Sequence, residues 1–175
     1  MSKTIPYENA VDLLDGDHKA VKAMFIEYDA LCENDAPDEG KQALAAKICQ
    51  ALTVHAQIEE EIFYPRVRKA IGDEALMDHA LEEHTQAKQL IAEIQGMKAG
   101  SGEYDAVVQQ LAKLIDEHVA EEREQIFLLA AQAPLDLRGL AVELFERKKA
   151  LQAKSAKPAK QGPSAKSTKS VKESA

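Results

Sequence analysis

Two histidines of this chain are followed four residues later by a glutamate at positions where the surrounding pattern calls for apolar side chains: His55 with Glu59, and His118 with Glu122. Two more histidines, His18 and His84, interrupt the apolar stripes of two other segments. On an α-helix, residues four apart project from the same face about one turn along the axis, so each pair can grip one metal ion or two adjacent ones. Four helices would thus offer four imidazoles and two carboxylates to one interior, a ligand set for a dinuclear centre. Nitrogen and oxygen donors without thiolate disfavour an iron–sulfur cluster, and six side-chain ligands exceed the four of a closed zinc site. Two non-haem irons, bridged by both carboxylates and by an oxo or hydroxo group, use all six. Two manganese or two zinc ions are the alternatives this donor set admits.

A single His/Glu pair at this spacing is weak evidence, and His79 with Glu83 shows how readily one arises. Position carries more weight. Glutamate is almost never fully buried without a partner, so Glu59 and Glu122 on core faces require compensation, which a metal supplies. One histidine on an apolar face is ordinarily a hydrogen-bonded core residue; one on each of four helices, with two paired glutamates, is not. His79 precedes His84 by five residues, about 140° around a regular helix. It shares its face with Glu82, Glu83 and Gln86 and is expected at the rim, unless a π-bulge turns it inward as a further ligand.

The positioning elements are helices throughout. Val11, Leu14, His18, Val21, Phe25 and Tyr28 recur at three- and four-residue steps and predict a first helix from about Pro6 to Cys32. After a break at Asp35, Pro37 and Gly40, a second stripe carries Leu44, Ile48, Ala51, His55, Ile58/Glu59 and Ile62, and Pro65 is expected to end or kink it. Leu76, Ala80, His84, Ala87, Ile91 and Ile94 form the third, stopped by the stretch Gly96 to Gly102. The fourth begins near Ser101 to Tyr104 and turns Val108, Leu111, Ile115, His118, Glu122, Ile126 and Leu129 inward. Long amphipathic helices with short connections predict an all-α, antiparallel up-down-up-down four-helix bundle over residues 1–133. A short fifth helix is expected at 134–151, packed outside the bundle.

Composition then shifts abruptly. Residues 152–175 hold six lysines, one glutamate, one valine and no aromatic residue, too little apolar surface to offset ordering, so this tail is expected to be disordered. Its net charge of +5 leaves −13 for residues 1–151 out of −8 overall. A body so acidic argues against nucleic-acid binding by the core; the basic tail could contact nucleic acid or another polyanion, although a solubilising role is the simpler expectation. Cys32 and Cys49 lack CxxC spacing and read as buried free thiols of a reducing compartment. With no apolar run long enough to span a bilayer and no signal-peptide pattern at the N-terminus, the expected location is cytoplasmic, with no membrane partner.

In order along the chain, GDHKAV around His18, HAQIEEEIFYP from His55, LEEHTQAKQLI around His84 and HVAEEREQIF from His118 resemble the hemerythrin-like (HHE cation-binding) family. The resemblance implies a four-helix bundle with a non-haem di-iron centre, histidine ligation by His18, His55, His84 and His118, and bridging by Glu59 and Glu122. Two departures stand out. Oxygen-carrying members place a second histidine on the third helix four residues from the first, where this chain has His79 five before His84. On the fourth helix, Ile126-Phe127 sits one residue later relative to its histidine than Ile62-Phe63 on the second, and the following proline is missing.

Bond counting sets the functional expectation. Four imidazoles, two bridging carboxylates and one bridging oxygen give each iron about five ligands and leave an exchangeable position on both. A fifth histidine would close one iron and suit reversible O₂ carriage. Without it the expected function is redox activity toward O₂, peroxide or nitric oxide, in stress response or iron handling. The rivals are a reversible O₂ store or sensor without turnover, and a metal-free helical interaction module. A dry apolar shell is expected from Phe25, Ile62, Leu81, Leu111 and Ile115.

Overall fold

The computed structural model describes residues 5–155, which form helices joined by short turns. Asn9 starts α1 (Ala10–Glu33), its side chain accepting from the Asp12 backbone N–H at 3.1 Å, so the helix begins later than Pro6. α2 (Asp38–Ile58) follows Pro37 with Asp38 and Glu39 at the positive end of its dipole. It continues through a π turn, Glu59–Phe63, into α3 (Tyr64–Ile71). Pro65 therefore neither ends nor interrupts the rod, since it falls in the first turn after the ladder has already changed register. Gly72 does end it, at φ 68°, a conformation that favours glycine. Asp73 and Ser101 cap α4 (Glu74–Gly96) and α5 (Gly102–Glu121), each accepting a backbone N–H at 3.1 Å. α5 passes through a second π turn, Glu122–Ile126, into α6 (Phe127–Gln132).

α1 packs on α2 and α5, and α4 packs on α5 and α2, which closes the expected antiparallel ring of four rods. Two apolar clusters fill it. One joins Leu13, Leu14, Ile58, Phe63, Met77 and Ile126; the other joins Val21, Phe25, Ile48, Ile91, Val108 and Leu111. The four histidines of the stripes lie in the layer between them, all buried.

The π turns correct the expected faces. Tyr64 N–H bonds to Glu59 C=O and Phe127 N–H to Glu122 C=O, five residues back instead of four. The extra residue rotates everything beyond it by about 100°. Phe63 with Tyr64, and Ile126 with Phe127, are consequently buried as adjacent pairs, while Ile62 is only partly covered and Leu129, expected inward, is exposed.

α7 (Leu137–Ser155) is longer than the short helix expected and runs four residues past 151. Nor does it merely lie outside the bundle. Leu140, Leu144 and Leu151 are buried in the first apolar cluster, and the helix packs against α1, α2 and the first π turn. Arg147 holds Glu61 through bonds of 2.6 and 2.9 Å, and Lys148 holds Asp17. The tail expected to be disordered lies, from 156 onward, outside the described residues. Cys32 and Cys49 are both free, and burial pushes the Cys49 thiol up to about 11. Among the described residues no helix is long and apolar enough to cross a membrane.

Replacing Leu144, fully buried, with alanine should destabilise the protein by about 3 kcal/mol in urea denaturation. Leu128→Ala, at a site 55% exposed, should change it by less than about 0.5 kcal/mol. Equal small effects would show that α7 is not part of the core.

Candidate metal centre

Each of the four rods delivers one imidazole to the layer between the clusters. His18 Nε2 and His55 Nε2 lie 2.9 Å apart, and His84 Nε2 and His118 Nε2 lie 3.2 Å apart. The two glutamates stand between these pairs. Glu59 turns Oε1 toward His55 (3.2 Å) and Oε2 toward His84 (3.3 Å), so it addresses both. Glu122 Oε2 is 3.2 Å from His18 Nε2 and 3.6 Å from His118 Nε2. The structure thus brings together all six residues singled out on the stripes. Their donor atoms form two overlapping groups, His18/His55/Glu59/Glu122 and Glu59/His84/His118.

Such an arrangement is poor hydrogen bonding and good coordination. Both Glu59 oxygens, Glu122 Oε2 and His18 Nδ1 are buried without a hydrogen-bond partner, although nitrogens stand within 3.2–3.6 Å of the carboxylates. Lone pairs aimed at a common point, and not at one another's protons, produce this pattern. Ligands about 2.1 Å from a metal and at right angles to each other are roughly 3 Å apart, the spacing seen within each imidazole pair. A buried, fully ionised glutamate without compensation is too costly to retain, so the residues present fit a bound cation.

The outer ring nitrogens are held by carboxylates that sequence reasoning did not single out. His55 Nδ1 faces Asp17 Oδ2 at 3.3 Å, His84 Nδ1 faces Glu60 Oε1 at 2.9 Å, and His118 Nδ1 faces Glu83 Oε2 at 2.7 Å. Lys148 and Lys88 in turn fix Asp17 and Glu60. Such contacts set the tautomer that presents an Nε2 lone pair inward. The signal in the sequence was adjacency: each carboxylate neighbours one candidate ligand and serves a histidine on a different rod.

Tyr64 also went unnoticed, because only the π turn brings it inward. Its hydroxyl donates to Glu122 Oε1 at 2.7 Å and lies 3.2 and 3.5 Å from His84 and His118 Nε2. Burial and the nearby carboxylates hold the phenol well above its ordinary value. The second π turn gives Phe127 the equivalent place, and its ring stacks on His18 at 5.8 Å between centroids. The later position of Ile126-Phe127 therefore marks no shift between rods: Phe63-Tyr64 and Ile126-Phe127 are the matching pairs. His79 stays at the rim with its side chain 53% exposed, outside both buried groups.

A cavity of about 30 Å³ adjoins the four imidazoles, walled by Val21, Leu52, Ala87, Ile91, Ile115 and Val119. Since ~10–15 Å³ holds one water, it admits only very small molecules. Ile115 belongs to this wall as expected of the dry shell, whereas Ile62 and Leu81 pack on the opposite cluster.

What the fold and site define together is a metal-binding helical bundle, and comparison with known proteins agrees. The family model of the Hemerythrin HHE cation binding domain matches residues 9–130, and the chain belongs to that family. Its fold is similar to that of a hemerythrin HHE cation binding domain-containing protein from Mycobacterium kansasii, with a TM-score of 0.71 and 18% identity over 84% of this chain and 89% of that one. A DNA nickase from Nostoc sp. is 32% identical over 119 residues, 68% of this chain. The chain spans 32% of that relative's length.

Protons compensate the carboxylates when a cation is withheld. Burial opposes a charge on His55, but Glu59 beside it and Asp17 outweigh that and push its pKa up to about 10; burial likewise opposes His84, where Glu59 and Glu60 raise it to about 9. Unfolded imidazoles titrate near 6.5, so this stabilisation is complete below that pH and is lost as pH rises through the raised values. In chelator the melting temperature should fall between about pH 7 and 10, and metal-loaded protein should lack that slope. A flat profile in chelator would contradict the assignment.

Proposed function

We propose that the protein holds two non-haem iron ions between the His18/His55 and His84/His118 pairs, with Glu59 and Glu122 shared between them, and that it is redox-active toward O₂, peroxide or nitric oxide. One observation carries this reading: four Nε2 atoms and two carboxylates converge in a buried layer where the imidazoles 3.2 and 3.3 Å from Glu59 make no well-formed hydrogen bond to either of its oxygens. Two ferrous ions bound there would supply two electrons to a small oxidant, one from each.

The chain's own groups do the rest. Asp17, Glu60 and Glu83 hold three imidazoles in the binding tautomer. The Tyr64 hydroxyl fixes Glu122 and keeps a proton at its oxygen, 3.2 Å from His84 Nε2. The small apolar cavity excludes larger reductants and substrates. No fifth imidazole reaches the layer among the described residues, which favours reaction over reversible carriage. The activity named for the Nostoc relative is not carried over, because a bundle as acidic as this one repels a phosphate backbone.

Metal analysis of protein loaded with ferrous iron without air should return about two irons per chain, with charge-transfer absorption in the near ultraviolet after oxidation. His84→Ala should lose most of that iron and His79→Ala should keep it. Zinc alone, or equal loss in both variants, would overturn the centre as drawn.

Mixing reduced protein with O₂ should give an absorption change that argon sparging does not reverse. Full reversal under vacuum would instead establish an O₂ store and leave the iron assignment standing.

A further inference from the structure

The rim of α4 and α5 gathers three donors that the buried layer does not use. His79 Nε2 is 3.4 Å from Glu121 Oε2 and 3.7 Å from Glu83 Oε1, and the three atoms lie within 4.8 Å of one another. Both carboxylates are anchored by their other oxygen. Glu83 Oε2 accepts from His118 Nδ1 at 2.7 Å, and Glu121 Oε1 accepts from Gln125 Nε2 at 3.3 Å. The remaining oxygens face His79. Glu83 is about nine-tenths buried, and its Oε1 stands 3.7 Å from His79 Nε2, beyond hydrogen-bond reach. Among the described residues neither carboxylate pairs with a lysine or arginine.

We propose that His79, Glu83 and Glu121 form an outer binding site for a divalent first-row cation, with water completing its shell. One imidazole and two carboxylate oxygens suit Mn²⁺, Fe²⁺ or Zn²⁺ and offer nothing to a soft ion. Half exposure of His79 gives a hydrated ion access. Glu83 touches both this site and His118, so an ion held here is one carboxylate away from the buried layer. That placement makes it a loading site, where a hydrated ion exchanges some of its water for protein ligands before it moves inward. The loading role rests on the di-iron reading above; cation binding at the rim does not.

The test is a Mn²⁺ titration of the full chain with its iron in place, free Mn²⁺ being followed by electron paramagnetic resonance. The wild-type protein should bind one more Mn²⁺ per chain than His79→Ala/Glu121→Gln. Glu121→Gln alone should weaken that binding at least tenfold, with circular dichroism and the iron absorption spectrum unchanged. Ferrous uptake should slow several-fold in the double variant and reach the same final iron content. Equal Mn²⁺ stoichiometry in wild type and double variant would overturn the site and leave the trio a simple ion pair. Unchanged uptake with one Mn²⁺ lost would overturn the loading role. If the protein takes up no iron, the same titration of the iron-free chain still decides the outer site, so its failure and that of the di-iron reading are read separately.

Discussion

Burial of two carboxylates in an apolar interior is the constraint from which the rest of this molecule follows. Glu59 and Glu122 are completely inaccessible, and an ionised carboxylate in such a place is tolerated only beside fixed positive charge. The fold meets this need with four imidazoles: His55 and His84 hold protons there, or all four share a cation. Either way the layer must be crossed by all four rods, because one helix offers only one histidine at that height. The bundle's two apolar clusters are separate for the same reason: the polar layer divides them.

The π turns belong to that constraint. A regular helix carrying His55 and Glu59 inward would next present Ile62, an aliphatic side chain with no polar atom to offer. By widening the turn at Glu59 the chain advances Tyr64 to that place, and its hydroxyl satisfies Glu122 Oε1 from across the bundle. The second π turn starts at Glu122 and advances Phe127 in the same manner. Both wide turns begin at the buried carboxylates, consistent with the tendency of π-bulges to occur at functional positions.

The sequence disclosed the rods, the layer and its six polar residues because each rests on a repeating pattern. A stripe of apolar residues names a face, and a polar residue within it stands out. What remained hidden depends on breaks in that pattern or on contacts between rods. Tyr64 was overlooked and Leu129 misplaced because one inserted residue changes the phase and leaves no mark in composition. Asp17, Glu60 and Glu83 were illegible because charged residues beside a stripe are commonplace, and only tertiary packing shows which imidazole each one meets. α7 was underestimated since its few core leucines are interleaved with lysine and arginine, which weakens the apolar stripe.

The two halves of the layer are built alike and finished differently. Asp17 precedes His18 and serves His55; Glu83 precedes His84 and serves His118. Glu60 follows Glu59 and serves His84, but the residue following Glu122 is Arg123, which turns away to Asp15 at 2.5 Å. His18 Nδ1 is left without an acceptor and its ring lies against Phe127, where His84 has both Glu60 and the Tyr64 phenol. A carboxylate on the outer nitrogen makes an imidazole a stronger donor. In the half at His84 and His118 both imidazoles are therefore backed by a carboxylate. In the half at His18 and His55 only His55 is backed in this way, by Asp17. A symmetric set of six polar residues thus has unequal surroundings because of two differences beside it, an arginine in place of a carboxylate and a phenylalanine in place of a tyrosine.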